Sequence, residues 1–122
     1  MNENANPLRI AIYCHTHTQN PIQIDYQRAV VMDTVLRCAD VPPEITVYAD
    51  NGFCPSTQVR PAFQRLLQSV AEGETDCIAV NHWDHLSVPG PDADALLRFF
   101  RKHEVLVIEC RAQPAIIVRI AA

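Results

Sequence analysis

Leu8-Arg9-Ile10-Ala11-Ile12-Tyr13, followed without a break by Cys14-His15-Thr16-His17-Thr18, is the stretch from which the rest of the chain can be read. A short, nearly continuous apolar run is what a strand buried in a parallel sheet requires. The abrupt turn to polar residues marks its carboxyl end, and His15 to Pro21 reads as a loop.

Outward from this strand, apolar patterns alternate between two periods. Tyr26, Ala29, Val30, Met32, Val35 and Leu36 predict a helix over Asp25 to Ala39, stopped before Pro42-Pro43. Glu44 to Ala49 alternates and is rich in β-branched residues, so it reads as a second strand. Asp50 to Val59 holds Asn51-Gly52 and Pro55-Ser56 and reads as a loop. Phe63, Leu66, Leu67, Val70 and Ala71 give the clearest helical stripe, with Pro61 in its first turn. Asp76 to Val80 is the third strand, and Asn81 to Pro91 a long loop. Asp92 is the expected N-cap of a helix that buries Ala95, Leu96, Phe99 and Phe100. Val105 to Cys110 is the fourth strand and Ala115 to Ile120 a short fifth, at an edge. Strands alternating with helices imply an α/β domain with a mainly parallel sheet of four to five strands and helices on both faces.

Composition narrows the function. The 122 residues are expected to form a single domain with a normal core. The net charge of −4 and the dispersed basic residues argue against a free-standing DNA binder. No apolar run is long enough to span a membrane and no secretory signal is present, so a cytoplasmic location is expected. The five cysteines (14, 38, 54, 77, 110) form no Cys-x-x-Cys pair and read as free thiols, several of them core fillers.

In an open α/β sheet, sites form beyond the carboxyl ends of the strands. His15 to Thr18, Asp50 to Arg60 and Asn81 to Val88 lie there, and the polar residues concentrate in these segments. They also carry four ordered motifs. The first is Tyr13-Cys14-His15-Thr16-His17-Thr18. Gln27 follows in the first helix. Then come Asp50-Asn51-Gly52-Phe53-Cys54-Pro55 with Arg60-Pro61, and finally Asp84-His85-Leu86-Ser87-Val88. This series resembles the catalytic domain of serine recombinases of the resolvase/invertase type, whose patterns are Tyr-x-Arg-x-Ser-Thr, a helical Gln, Asp-x-Gly-x-Ser-Gly with Arg-Pro, and Asp-Arg-Leu-Ser-Arg. The resemblance runs from about Leu8 to Cys110.

The resemblance implies a resolvase-like three-layer sandwich and site-specific DNA strand cleavage and exchange by a serine nucleophile. It puts the nucleophile at His17, other active-site positions at His15, Gln27, Arg60, Asp84 and His85, and a further arginine position at Val88. Serine is absent, and of the arginine positions only Arg60 keeps its residue. Histidine, mostly neutral at pH 7, does not supply a guanidinium fork. Each lost donor to the phosphoryl group is worth roughly a hundredfold or more, so serine-type cleavage is expected to be absent. The chain then reads as a pseudo-recombinase that pairs with an active recombinase or related protein, or as a mobile-element remnant. DNA would be bound weakly if at all. No segment after Cys110 resembles the family's long dimer helix or its DNA-binding domain, so neither is expected. No cofactor is expected on this reading. Two alternatives stay open. One is a metal-binding protein or metal-dependent hydrolase with zinc on His15, His17 and His85, near His82, Asp84 and Cys54. The other is an interaction module that kept only the fold.

Overall fold

The computed structural model describes residues 7–53, 60–87, 90–111 and 116–118. The elements follow in the order β1 (Arg9–Thr16), α1 (Pro21–Cys38), β2 (Glu44–Asn51), α2 (Pro61–Ala71), β3 (Cys77–Val80), a 3-10 turn (Trp83–His85), α3 (Pro91–Lys102), β4 (Leu106–Glu109) and β5 (Ile116–Val118). They build one five-stranded sheet in the order β2-β1-β3-β4-β5. β1 to β4 are parallel, and β5 runs antiparallel to β4 at the edge.

This strand order dictates where the helices lie. The chain steps from β1 to β2 in one direction, then crosses back over β1 to reach β3 and β4. Right-handed crossovers place helices on opposite faces when the direction reverses. Accordingly α1 packs through Val31 and Val35 on Ile10, Ile12, Cys14, Cys77 and Ala79. On the other face, Phe63, Leu66 and Val70 of α2 and Phe100 of α3 pack on Tyr13, Ile78, Val80 and Val107. β1, flanked by strands on both sides, is buried from Ile10 to Thr16, which its apolar run anticipated.

Several boundaries differ from the sequence reading, and β2 runs on to Asn51 rather than stopping at Ala49. β1 continues to Thr16, so His15 lies in the strand rather than in a loop. α1 begins at Pro21 instead of Asp25, because Asn20 caps it: its side chain accepts from the Gln23 N–H. α3 is capped by Gly90, with Pro91 in its first turn, so Asp92 is not the cap. The register of α3 shifts with this start, and Ala93 is buried in place of Ala95. Among the described residues no helix is long and apolar enough to cross a membrane. Burial raises the thiols of Cys14 and Cys110 to about 11 and that of Cys77 to about 12, which keeps them protonated and inert in the core. Cys54, Pro55 and Val88 lie outside the described residues.

Candidate active site

The reversal of strand order opens a crevice between the carboxyl ends of β1 and β3, where α/β folds place their sites. A cleft of about 420 Å³ lies there, lined by His15, His17, Gln23, Gln27, Asp84 and His85 among others. Of the six described positions singled out by the resemblance, five therefore line one cleft. Arg60 is placed differently.

The cleft floor is set by Gln27. Its Oε1 accepts from the His15 N–H at 2.8 Å and its Nε2 donates to the His15 carbonyl at 2.8 Å. The side chain thus pairs with the strand end as a neighbouring strand would, from a residue that is 1% exposed. Replacing Gln27 by leucine leaves a buried N–H and a buried carbonyl without partners. A loss of about 2 kcal/mol in urea-unfolding stability is expected. A loss below about 0.5 kcal/mol would show that water replaces the amide.

The loop after β1 is fixed from β2. Thr16 Oγ1 donates to Asn51 Oδ1 at 2.6 Å, and the Asn20 N–H reaches the same oxygen at 2.7 Å. The Gly52 and Phe53 N–H groups donate to the Thr16 carbonyl. Gly52 has φ +94°, and a Cβ there would lie 2.9 Å from Gln19 Cγ and 3.3 Å from its backbone N. Only glycine fits both demands. Asn51 and Asn20 were not singled out from the sequence. The signal for Asn20 was available in its place immediately before Pro21.

Below the cleft, Asp50 and Arg60 form a buried polar frame. Asp50 Oδ1 accepts from the Ala62 N–H at 2.9 Å; Oδ2 accepts from the Phe63 N–H at 2.9 Å and from the Tyr13 hydroxyl at 2.7 Å. Arg60, the residue before α2, makes no side-chain cap. Asp50, near the end of β2, caps that helix instead. Arg60 turns inward and is 4% exposed. Its Nη1 donates to the His85 carbonyl at 2.9 Å, its Nη2 to the Leu86 carbonyl at 2.8 Å, and its Cζ lies 3.8 Å from the Phe63 ring centre. The Tyr13 hydroxyl stands 3.4 Å from Nη1 and donates to Asp50. Burial, then the Asp50 carboxylate, drives the Tyr13 phenol well above its ordinary pKa. Arg60 is thus a clamp on the turn that carries Asp84 and His85.

The histidines differ from one another. His15 is buried, and its Nε2–H donates to the Phe53 carbonyl. Burial lowers its pKa. His17 lies one residue beyond the strand and is exposed, so the two rings do not share an environment. His85 sits 6.0 Å from His15 and 6.2 Å from His82, ring centre to ring centre. Its Nδ1 is buried without a partner among the described residues. Burial, with His15 and His82 adding to it, lowers the His85 pKa to about 4. His82 Nδ1 accepts from the Asp84 N–H at 2.9 Å, which orders the turn. Glu109 at the end of β4 holds the same turn through the Trp83 N–H at 2.8 Å. Glu109 was missed in the sequence, although a carboxylate ending an apolar strand was a visible signal. Trp83 packs against the core. Asp84 is exposed.

At neutral pH the cleft therefore presents neutral His15 and His85 rings and the Asp84 carboxylate. Among the described residues no lysine or arginine lines it. No three His, Cys, Asp or Glu side chains among those residues are grouped to hold a metal ion.

Several solved structures share this architecture. The N-terminal catalytic domain of TP901-1 integrase is 27% identical, with 84% of this chain and 78% of that one covered and a TM-score of 0.69. The C-terminal catalytic domain of ISC1926 TnpA, an IS607-like serine recombinase, is 14% identical over 84% of this chain and 70% of that one, with a TM-score of 0.74. A resolvase family site-specific recombinase from Streptococcus pneumoniae is 16% identical over 91% and 76%, with a TM-score of 0.68. The latter two likenesses bear on the fold alone. No curated protein matches by sequence. Residues 13–117 match the family model described as the resolvase N-terminal domain, and with the fold and the ordered motifs around one cleft this chain belongs to that family of serine-recombinase catalytic domains.

Proposed function

We propose that this chain is a resolvase-type domain that does not cleave DNA by the serine mechanism and acts by pairing with a recombinase or a related protein. The observation that carries this reading is the charge of the cleft. Cleavage of a phosphodiester needs a nucleophile and fixed cations over the phosphoryl oxygens. The nucleophile position holds the exposed His17. The arginine positions at 15 and 85 hold histidines whose pKa values burial lowers. The one retained arginine is committed to the carbonyls of His85 and Leu86. Similarity to the catalytic domain of TP901-1 integrase supports a mobile-element context.

The test is incubation with nicked duplex DNA that traps covalent protein–DNA intermediates. No adduct is expected at neutral pH. An adduct that disappears in His17→Ala would overturn the proposal and make His17 a phosphohistidine-forming nucleophile. Stoichiometric zinc in the same native preparation would instead favour a metal centre.

A further inference from the structure

We propose that the outer face of α1 is a self-association surface, on which a second copy of this chain lays its own α1 antiparallel. The buried face of the helix is accounted for by Gln27, Val31, Thr34 and Val35. Opposite them, Ile22, Tyr26, Ala29, Asp33 and Leu36 recur at alternating intervals of four and three, and every one is exposed. Ile22 is 82% exposed, Tyr26 57% and Leu36 52%. A surface helix of a globular domain ordinarily has one apolar stripe. This helix has two, and the outer one has the spacing of a coiled-coil seam. It runs about 21 Å along the helix. Beside it lies a groove of about 340 Å³ between α1 and the end of β4, lined by Tyr26, Val30, Asp33, Arg37, Cys110 and Arg111 among others.

The seam itself selects the occupant and its direction. A parallel pair in register would set Asp33 against the partner's Asp33, two like charges on a seam losing its water. An antiparallel pair crossing at Ala29 sets Tyr26 beside the partner's Asp33, where the phenol donates to the carboxylate, and symmetry repeats the contact. Asp33 keeps its ion pair with Arg37, at 3.0 Å, on the flank of the seam. Ile22 then meets the partner's Leu36, and the small Ala29 side chains on the two-fold axis let the helices approach closely. The patch is complementary to itself, as an isologous interface requires. A seam of this length makes a small interface, so the dimer is weak.

Sedimentation of the full chain from about 5 to about 500 μM should show a monomer giving way to a dimer. Ala29→Glu should abolish the dimer while leaving the thermal midpoint unchanged, because the position is exposed. Direction is read by cross-linking on a Cys38→Ser background, since Cys38 is exposed on the same helix. There, Ala29→Cys should form a disulfide with itself. Ile22→Cys should form one with Leu36→Cys in a mixture and none with itself above the Cys38→Ser baseline. A monomer throughout the range overturns the proposal, including one that captures an added amphipathic helix. So does a dimer indifferent to Ala29→Glu, or self-linking through Ile22→Cys.

Discussion

Replacing Asp50 by alanine is expected to cost about 3–5 kcal/mol, a large share of what holds a domain of this size together. One carboxylate, 2% exposed, serves three donors: the Ala62 and Phe63 N–H groups that open α2, and the Tyr13 hydroxyl. Loss of a helix cap alone costs about 1 kcal/mol. Here the cap is buried, so the freed amides and phenol find no water. The same carboxylate is joined through Tyr13 to the buried Arg60 guanidinium. Its removal leaves that cation without counter-charge, and Arg60 then loosens its hold on the His85 and Leu86 carbonyls. Asp50→Asn, which keeps one acceptor oxygen, is expected to lose about half as much. Urea unfolding at pH 7 measures both. A loss below about 1 kcal/mol in Asp50→Ala would mean that the Asp50–Tyr13–Arg60 frame is not what secures α2.

The same frame explains which motif residues are retained. Tyr13, Gln27, Asp50 and Arg60 match the family pattern and are buried, each hydrogen-bonded to backbone or to one another. Gly52 is retained where a positive φ and the close approach of Gln19 admit nothing larger. The changed positions at 15, 17 and 85 all line the cleft. The retained residues that are buried serve the fold, whereas Asp84 is retained at the exposed lip of the cleft.

The alternation of strands and helices, the mainly parallel sheet and the covering of both its faces were legible because periodicity and chain direction leave few arrangements open. The convergence of His15, Asp84 and His85 followed from strand ends alone, and that of Gln27 from the family resemblance. The destination of Arg60 did not. Whether a guanidinium points at a cleft or at carbonyls 25 and 26 residues further along depends on packing that no local pattern records. The capping of α2 from Asp50 was hidden for the same reason: the carboxylate lies 12 residues before the amide it satisfies. The start of α1 was missed for a local reason, since Asn20-Pro21 was a cap signal outweighed by the polar run before it.

Acidification is expected to weaken the fold through His85, by about 2 kcal/mol between pH 6.5 and 4. In the unfolded chain this ring takes up its proton near 6.5, whereas in the folded chain it resists until about 4. Throughout that window the unfolded state binds more protons, so stability falls as pH is lowered through it and is fully present above 6.5. The full shift would correspond to about 3 kcal/mol, and partial exposure of the ring reduces it. The groups around it oppose one another. His15 and His82 repel a proton there, while Asp84 and Glu109 attract it, and burial outweighs both. His85→Gln removes the titration. Its urea-unfolding stability should therefore drop about 2 kcal/mol less than that of the native chain between pH 7.5 and pH 4.5, the carboxylates contributing equally to both. Equal drops would place the ring in water and remove its coupling to the fold. The sign matters for the chemistry of the cleft. Charging His85 would give the cleft a cation suited to a phosphodiester, but the same proton destabilises the domain that holds it. On the proposed function, raising acidity is not expected to rescue strand cleavage, and the nicked-DNA experiment should stay negative at pH 5.5 as at pH 7.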